Sequence, residues 1–453
     1  MIGSVMRLAI VLAVSATLAL LAFACNGGEE GLPTATPTAT ATPQAIATPS
    51  PVRTAAPSPA PSATATPTGG PSAVPEIAYV GPDGRDIWLV ATDGSGKQNL
   101  TRGRCPNPSR LYWSPNGDRM ACISAVYSDL PQTQMLVFNL EGGILLHVQH
   151  AGYFLGFTWE TRFPASLWSP SGQYLAYVVE EHLEGADSEE AQRPGTPALI
   201  VADATRGILA SIPGGEWPRW SANGDRLAYY RTLDDRLTVY DPASGQEEAL
   251  GEDLRPLAWA LGGKKLLVAS GFQHPEEFLI EYEANLLDPG SGQMTRIPEL
   301  DNFTEFWLSP DGVTAVVLKP SAGLPSLGIL NLSSLEFTPI AGSVISYPSD
   351  FIPQSQLAFS ADGSQIYWFD GIGAIYKTVS TRGGLTEVGR VPGDFFLTFA
   401  PDLTRVLYLV LSDAPPAAPG GPLPWNLWVA SIDGSDAHLV VEGALGAVWR
   451  PTR

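Results

Sequence analysis

Short runs of apolar, β-branched and aromatic residues alternate with turn residues along most of the chain. From Glu76 to the C-terminus, apolar residues tend to occupy every second position of a run, and Gly, Asp, Asn and Pro separate the runs. This alternation places one side of a β-strand against a core, whereas an amphipathic helix needs apolar residues three or four positions apart. No long helical periodicity is present. The pattern predicts an all-β domain.

One sequence pattern recurs seven times in this region. In each copy a short strand ends in an aromatic residue, a turn such as Ser-Pro-Asp-Gly follows, and a second apolar strand returns, as in "LWSPSGQYLAYVV". The copies begin at Tyr112, Leu167, Arg219, Ala258, Trp307, Ala358 and Thr398. Their spacing of about 40 to 55 residues is typical of propeller blades. Leu403 replaces the glycine of the turn in the last copy, so we expect a different turn there.

A second hairpin follows each copy, and two hairpins make the four-stranded antiparallel sheet of one blade. The region begins with three strands and lacks an aromatic first strand, while the chain ends in "GAVWRPTR", which has the pattern of that strand. We therefore predict a β-propeller that is closed by a C-terminal strand in the N-terminal blade. Eight blades are expected. Seven is the alternative, because the copy "AWALGGKKLLVAS" is weak.

The repeated turn, which reads Trp-Ser-Pro-Asn-Gly from Trp113 and Trp-Ser-Pro-Ser-Gly from Trp168 and is followed by a strand such as Leu-Ala-Tyr, resembles the TolB-type propeller repeat, also called the PD40 or WD40-like repeat. The resemblance covers residues 76–453 and implies a β-propeller. Its matching residues are turn and core positions, so it implies little about function. TolB carries a small α/β domain before its propeller, and a Thr/Pro-rich segment occupies that place here. The role of TolB in its envelope complex is therefore not implied.

The N-terminal segment has the pattern of an export signal. Arg7 precedes an apolar run from Leu8 to Phe23, which is shorter than a typical membrane-spanning helix. Residues 1–24 are interpreted as a signal peptide, and the sequence before Cys25 resembles a bacterial lipobox with Ala22 in the usual leucine position. We expect a lipoprotein anchored through Cys25 and facing the periplasm or the cell exterior. A secreted protein is the alternative, since Ala22-Phe23-Ala24 also suits ordinary signal peptidase.

Residues 25–75 consist largely of Pro, Thr, Ala and Ser. A segment with so few large apolar side chains cannot offset the entropy of folding, and frequent proline favours an extended polyproline II chain. We predict a disordered tether that holds a propeller, residues 76–453, about 100 Å from the membrane.

The charge of the chain restricts its partners. Asp and Glu number 46 against 26 Lys and Arg, which gives a net charge of −20. Such a surface repels nucleic acid and anionic lipid headgroups, so we expect no nucleic-acid partner and membrane contact through the lipid anchor only. We expect a monomer. The expected partner is a protein, a peptide or a glycan.

Cys105 and Cys122 are the cysteines that remain after Cys25. Export exposes the chain to oxidising conditions, so a disulfide that staples the loop before one repeat to the second strand of that repeat is predicted. The alternative is a buried free Cys122 with an exposed Cys105.

The sequence indicates no catalytic, cofactor-binding or metal-binding residues. His147 and His150 lie three residues apart, but a third ligand is not evident. The repeated Asp-Gly turns could offer oxygen ligands to calcium, although turn formation explains their regular spacing.

The longest insertions fall between the second and third strands of blades, on the face that also carries the blade-to-blade links. Since binding proteins often use loops on a rigid scaffold, we expect a non-catalytic binding face there. The candidate residues are Tyr153, Phe154, Trp159, Glu180, Glu181, Trp217 and Trp425. The alternative function is an exported propeller enzyme, such as a lactonase, lyase or glycan hydrolase, with its site at the central channel.

Overall fold

The computed structural model describes residues 75–106, 108–126, 132–156, 167–181, 196–273, 281–301, 305–319, 326–340, 357–369, 374–379, 385–391, 393, 395–412 and 425–451. All of them belong to one compact unit, Pro67–Arg453. Cys25, the signal peptide and all but the last residue of the predicted tether lie outside these ranges. The described residues form 31 β-strands and one short 3-10 helix, Pro298–Leu300. No helix within them has the length and apolar character that crossing a membrane would require.

The strands of the first four blades follow one another along the chain. Blade 1 begins with β1 (Ile77–Val80), β2 (Ile87–Val90) and β3 (Gln98–Asn99). Blade 2 contains β4 (Pro108–Trp113), β5 (Arg119–Val126), β6 (Gln132–Asn139) and β7 (Ile144–Gly156). Blade 3 contains the end of β7 with β8 (Tyr174–Glu181), β9 (Thr196–Asp203) and β10 (Gly207–Pro213). Blade 4 contains β11 (Gly215–Trp220), β12 (Leu227–Arg231), β13 (Arg236–Asp241) and β14 (Gln246–Glu252).

The remaining blades repeat this order. Blade 5 contains β15 (Leu254–Ala260), β16 (Lys265–Gln273), β17 (Glu281–Leu287) and β18 (Met294–Arg296). Blade 6 contains β19 (Glu305–Leu308), β20 (Thr314–Lys319), β21 (Ser326–Asn331) and β22 (Glu336–Pro339). Blade 7 contains β23 (Leu357–Phe359), β24 (Gln365–Phe369), β25 (Ala374–Val379) and β26 (Thr386–Arg390). Blade 8 contains β27 (Phe395–Phe399), β28 (Arg405–Leu411), β29 (Trp425–Ser431) and β30 (His438–Glu442), and β31 (Gly446–Trp449) returns to blade 1.

Every blade is a meander of antiparallel strands, and the predicted eight-bladed propeller is confirmed. The inner strand of a blade is its first strand, or β31 in blade 1. We call the side of the ring where second strands end and inner strands begin the link face, and the opposite side the turn face. Blades 2 and 3 share β7, which pairs with β6 as far as Ala151 and with β8 from Gly152 onward. The strand thus continues from one blade into the next.

The apolar core is divided into layers between neighbouring blades. Strand β8 illustrates the division: Leu175 and Tyr177 pack with residues of blade 2, while Ala176 and Val178 pack with residues of blade 4. Eight apolar clusters of this kind join each blade to the next around the ring. Both sides of each sheet are therefore buried.

The C-terminal strand closes the ring as predicted. β31 pairs with β1 so that Trp449 lies opposite Ile77. Beyond the strand, the backbone N–H of Arg450 donates to the Glu76 carbonyl at 2.7 Å, and Arg450 Nε donates to the Gly117 carbonyl at 2.6 Å. The Arg450 guanidinium also lies 5.8 Å from the centre of the Trp113 ring. Blade 1 is thus completed by the last strand, and Arg450, which follows that strand, is hydrogen-bonded to blade 2.

The repeated turn is stabilised by its serine. Ser169 Oγ accepts the backbone N–H of Tyr174 at 3.0 Å, and Ser309 Oγ accepts that of Thr314 at 2.9 Å. The turn of blade 8 was expected to differ because Leu403 replaces glycine, but Leu403 adopts φ of 57° and donates its N–H to the Ala400 carbonyl at 2.9 Å. That prediction was wrong, because the surrounding strands hold the leucine in the conformation that glycine adopts elsewhere.

On the turn face, the turns of adjacent blades touch. Leu261 N donates to the Gly312 carbonyl at 2.9 Å, which joins the turns of blades 5 and 6. A Cβ atom on Gly312, at φ of +69°, would lie 2.9 Å from the Leu261 nitrogen. Gly262 has a similar φ of +66°, but no atom lies within 4 Å of its Cβ position.

We predict that Gly312→Ala destabilises the protein more than Gly262→Ala. Both substitutions place alanine in a left-handed conformation, which costs about 1–2 kcal/mol. Only Gly312→Ala also forces two blades apart, and such overpacking adds about 1–3 kcal/mol. Urea-unfolding midpoints of the two variants measure the difference. Equal midpoints would show that contact between these turns does not limit stability.

Candidate functional site

The strands that flank the long second-to-third-strand connections end and begin on the link face, where the sequence placed the binding loops. The connections run from Glu181 to Thr196, from Gln273 to Glu281 and from Leu411 to Trp425. Turn-face connections include much tighter ones, such as that between Asp203 and Gly207. The inserted residues themselves lie outside the described ranges.

Blade 3 brings four of the predicted binding residues to one edge. Tyr153 pairs with Glu180, and Phe154 and Glu181 are their neighbours in strands β7 and β8. Tyr153 and Phe154 therefore lie in a strand rather than in a loop. Trp159 lies outside the described residues.

The two other predicted tryptophans do not join them. Trp217 was expected on the binding face, but it is only 5% exposed and packs in the core layer of blades 5 and 6. It lies on the inner strand of blade 4 with φ of 57°. Trp425 begins the third strand of blade 8 and packs against the core layer between blades 8 and 1. Three blades separate these residues in either direction, so they cannot form one aromatic platform.

His147 and His150 project from opposite sides of β7, because residues three apart in a strand face opposite ways. His150 Nε2 lies 2.8 Å from the Tyr177 hydroxyl, and burial lowers the pKa of this histidine. Within the described part of the chain, no group of three or more His, Cys, Asp or Glu side chains could hold a metal ion.

The aspartates of the repeated turns bind groups of their own turns. Asp362 accepts hydrogen bonds from the Ser360 hydroxyl at 2.5 Å and from the backbone N–H of Ser364 at 3.1 Å. These bonds stabilise the carboxylate and lower its pKa to about 2. Asp241 and Asp288 likewise accept backbone N–H groups of the turns that follow them. Turn formation accounts for these carboxylates without calcium.

Cys105 and Cys122 form a disulfide. Both sulfurs lie in the apolar layer between blades 1 and 2, beside Trp113 and Met120. The bond joins the segment that leads into β4 with strand β5. It belongs to the scaffold, because its two cysteines are fully buried.

A group of charged and phenolic side chains lies on the link face where blades 4 and 5 meet. We call Glu216, Tyr230, Asp235, Asp253 and Arg255 the blade 4–5 cluster. The Arg255 guanidinium lies 4.5 Å from the centre of the Tyr230 ring and donates to Asp253 Oδ1 at 3.3 Å. The Tyr230 hydroxyl donates to Asp235 Oδ1. Backbone pairing between β11 and β12 sets Glu216 directly opposite Tyr230.

Burial and charge perturb the ionisation of this cluster. Burial raises the pKa of Glu216, and the positive charge of Arg255 opposes that effect only in part. Burial and the hydrogen bond to Asp235 raise the pKa of Tyr230 to about 12. Groups whose pKa is shifted by burial and by a specific charged neighbour are candidates for ligand contact. Glu216 and Arg255 could hold a polar group of a partner that covers the link face.

Sequence reasoning did not find the blade 4–5 cluster. Its members are spread from Glu216 to Arg255 and belong to no motif. The structure shows that Glu216 stands in a strand whose other residues are all buried. A carboxyl at such a position indicates either a buried polar network or a binding site.

A comparison with protein-family models finds no match, and a comparison with curated proteins finds none. Solved structures do match. A eukaryotic initiation factor is 16% identical, with 84% of this chain and 99% of that chain covered and a TM-score of 0.49. TolB from Acinetobacter baumannii is 14% identical, with 74% and 83% covered and a TM-score of 0.34. An oligogalacturonate lyase in complex with manganese is 14% identical, with 67% and 81% covered and a TM-score of 0.41. These similarities are too distant to assign a function to this chain.

We predict that Glu216→Gln stabilises the protein at pH 7 and loses that benefit as the pH falls. The pKa of Glu216 is raised above its ordinary value of 4.5, so the folded state binds its proton more tightly than the unfolded state. Stability therefore decreases as the pH rises through the interval between the two pKa values. Glutamine removes this dependence, because it carries no charge at either pH.

Urea-unfolding midpoints at pH 7 and pH 4 measure the effect. Glu248→Gln is the control, because it removes an exposed carboxyl from β14 of the same blade. A gain for Glu216→Gln that is equal at both pH values would contradict the assignment of a raised pKa.

Proposed function

We propose that this protein is a non-catalytic binding scaffold that engages a protein or peptide partner on its link face. The observation that carries the proposal is the placement of the long second-to-third-strand connections on that face. Loops displayed on a rigid framework are the usual means by which such folds bind. The rest of the ring provides the framework, because each blade is packed on both sides.

The described surface beside these connections suits a protein partner. Leu233, in the second-to-third-strand connection of blade 4, is 67% exposed. Arg231 lies close by and forms ion pairs with Asp234 at 2.9 Å and with Glu247 at 3.2 Å. A partner on the link face would bury this apolar side chain and meet the charged groups around it.

The proposal extends to the attachment of the ring. A lipid on Cys25 would fix the chain to a membrane, and residues 25–75 would let the ring reach a partner away from that surface. The chain would then face the periplasm or the cell exterior. A secreted form is the alternative.

An exported enzyme is the second candidate function. Glu216 supports it, because a half-buried carboxyl with a raised pKa can act as a general acid. An enzyme would turn over a substrate, and Glu216→Gln would abolish that turnover. A scaffold would instead show partner binding without turnover.

We predict that a photo-reactive amino acid at Leu233 cross-links the partner in native cells, whereas one at Ser244 does not. Both residues belong to blade 4, but Leu233 lies on the link face and Ser244 lies in the turn between β13 and β14 on the turn face. The proposal requires contact on one side only. Mass spectrometry of the cross-linked products identifies the partner. Equal cross-linking at both positions, or none at Leu233, would contradict the proposed binding face.

We predict that Cys25→Ser moves the protein from the membrane fraction to the soluble fraction. Serine cannot carry the thioether-linked lipid that would hold the chain. Labelling with a radioactive fatty acid and fractionation of cells measure the change, with Asn26→Gln as the control that keeps Cys25. An unlabelled wild-type chain in the soluble fraction would instead support the secreted form.

A further inference from the structure

A polar cleft of about 250 Å³ lies on the turn face between blades 2 and 3. Asn116 and Arg119 line it from the first turn of blade 2, and Gln173 and Arg206 line it from the two turns of blade 3. It lies on the side of the ring opposite the proposed binding face. Its role is therefore independent of the proposed function.

The floor of the cleft is formed where the two turns meet. A Cβ atom on Gly172, at φ of +71°, would lie 3.2 Å from Asn116 Nδ2. Gln173 Nε2 donates to Asp203 Oδ2 at 3.3 Å, which ties the first turn of blade 3 to its second turn. The walls thus belong to rigid turns of two blades.

The carboxylate of Asp203 accepts hydrogen bonds from groups of its own turn. It accepts hydrogen bonds from the backbone N–H and hydroxyl of Thr205, both at 2.9 Å, and from the backbone N–H of Arg206 at 3.0 Å. These bonds, with that from Gln173, hold its pKa below the ordinary value against the opposing effect of burial. Asp203 lines the cleft but is only 3% exposed, and its carboxylate already accepts these four hydrogen bonds.

The two arginines retain donors for a ligand. Neither the Arg119 nor the Arg206 guanidinium donates a hydrogen bond to a residue within the described ranges. The carboxylate nearest Arg119 is Asp118, at 3.9 Å, and that side chain accepts the Ser114 hydroxyl at 2.9 Å. Arg206 is exposed at the edge of the cleft.

Blade 3 has no acidic residue in the turn that follows its inner strand. The turns after the inner strands of five other blades each contain an aspartate: Asp118, Asp225, Asp311, Asp362 and Asp402. In blade 3 the corresponding turn, Ser-Pro-Ser-Gly-Gln, carries Ser171 and Gln173 instead. An additional carboxylate here would lie beside the two arginines. Its absence leaves room for one brought by a ligand.

We propose that this cleft binds the carboxylate of a small polar acid, with Arg119 and Arg206 as the charged donors. The planar guanidinium matches a carboxylate in a bidentate arrangement, and its hydrogen bonds to an anion are stronger than those between neutral groups. The amides of Asn116 and Gln173 add neutral donors and acceptors for hydroxyl or amino groups of the ligand. A volume of about 250 Å³ lies just below that of pockets for drug-sized ligands and suits a molecule the size of an amino acid.

Isothermal titration calorimetry of the full chain with L-glutamate, D-gluconate and inorganic phosphate tests the proposal. Saturable binding of at least one of the two carboxylates, tighter than that of phosphate, is expected. Arg206→Gln should weaken it by about tenfold or more, since a hydrogen bond to a charged group contributes about 1.5–3 kcal/mol. Arg119→Gln should act in the same direction.

Lys264→Gln is the matched control, because it removes one exposed positive charge from the turn face of blade 5. It should change affinity less than twofold. Absence of saturable binding, equal or tighter binding of phosphate, or the same loss with Lys264→Gln would overturn the proposal. None of these results would bear on the link-face partner, which cross-linking tests separately.

Discussion

Apolar packing between blades is the interaction on which the rest of the structure depends. Each sheet buries both of its sides, so a blade removed from the ring would expose two apolar surfaces. In β8 the large side chains alternate between the layer shared with blade 2 and the layer shared with blade 4. A row of such sheets would still leave the outer sides of blades 1 and 8 uncovered. Closure by β31 buries those sides against each other in the layer that contains Ile77, Leu407 and Trp449.

Because of this packing, the two faces of the ring differ in how readily they accommodate insertions. On the turn face, adjacent turns touch and leave little space for insertions, as Gly312 against Leu261 illustrates. On the link face, three of the second-to-third-strand connections are long. Insertions are therefore tolerated on the link face and restricted on the turn face. The cleft between blades 2 and 3 forms on the restricted side, so its walls need little reorganisation to accept a ligand.

The repeated turn made the architecture predictable. Its spacing gave the blade count, and the weak copy around Trp259 proved to be a full blade. Leu403 could not be predicted, because tertiary packing overrode the local preference for glycine. Neither the blade 4–5 cluster nor the cleft was visible in the sequence, since each joins residues from separate turns and strands. Trp217 was misplaced for the same reason: the pattern marked its strand but not the side on which its ring would pack.

Part of the net charge of −20 comes from aspartates that build the repeated turns. Asp203, Asp241 and Asp362 accept hydrogen bonds within their own turns, and those bonds lower their pKa values. Turn construction thus accounts for these carboxylates, and they give no indication of a cationic ligand. Positively charged residues are fewer, and Arg119 and Arg206 stand out because their guanidinium groups donate no hydrogen bond within the described residues. Because long-range repulsion by an acidic surface is screened within about 10 Å, a small acid can still reach donors placed inside a cleft.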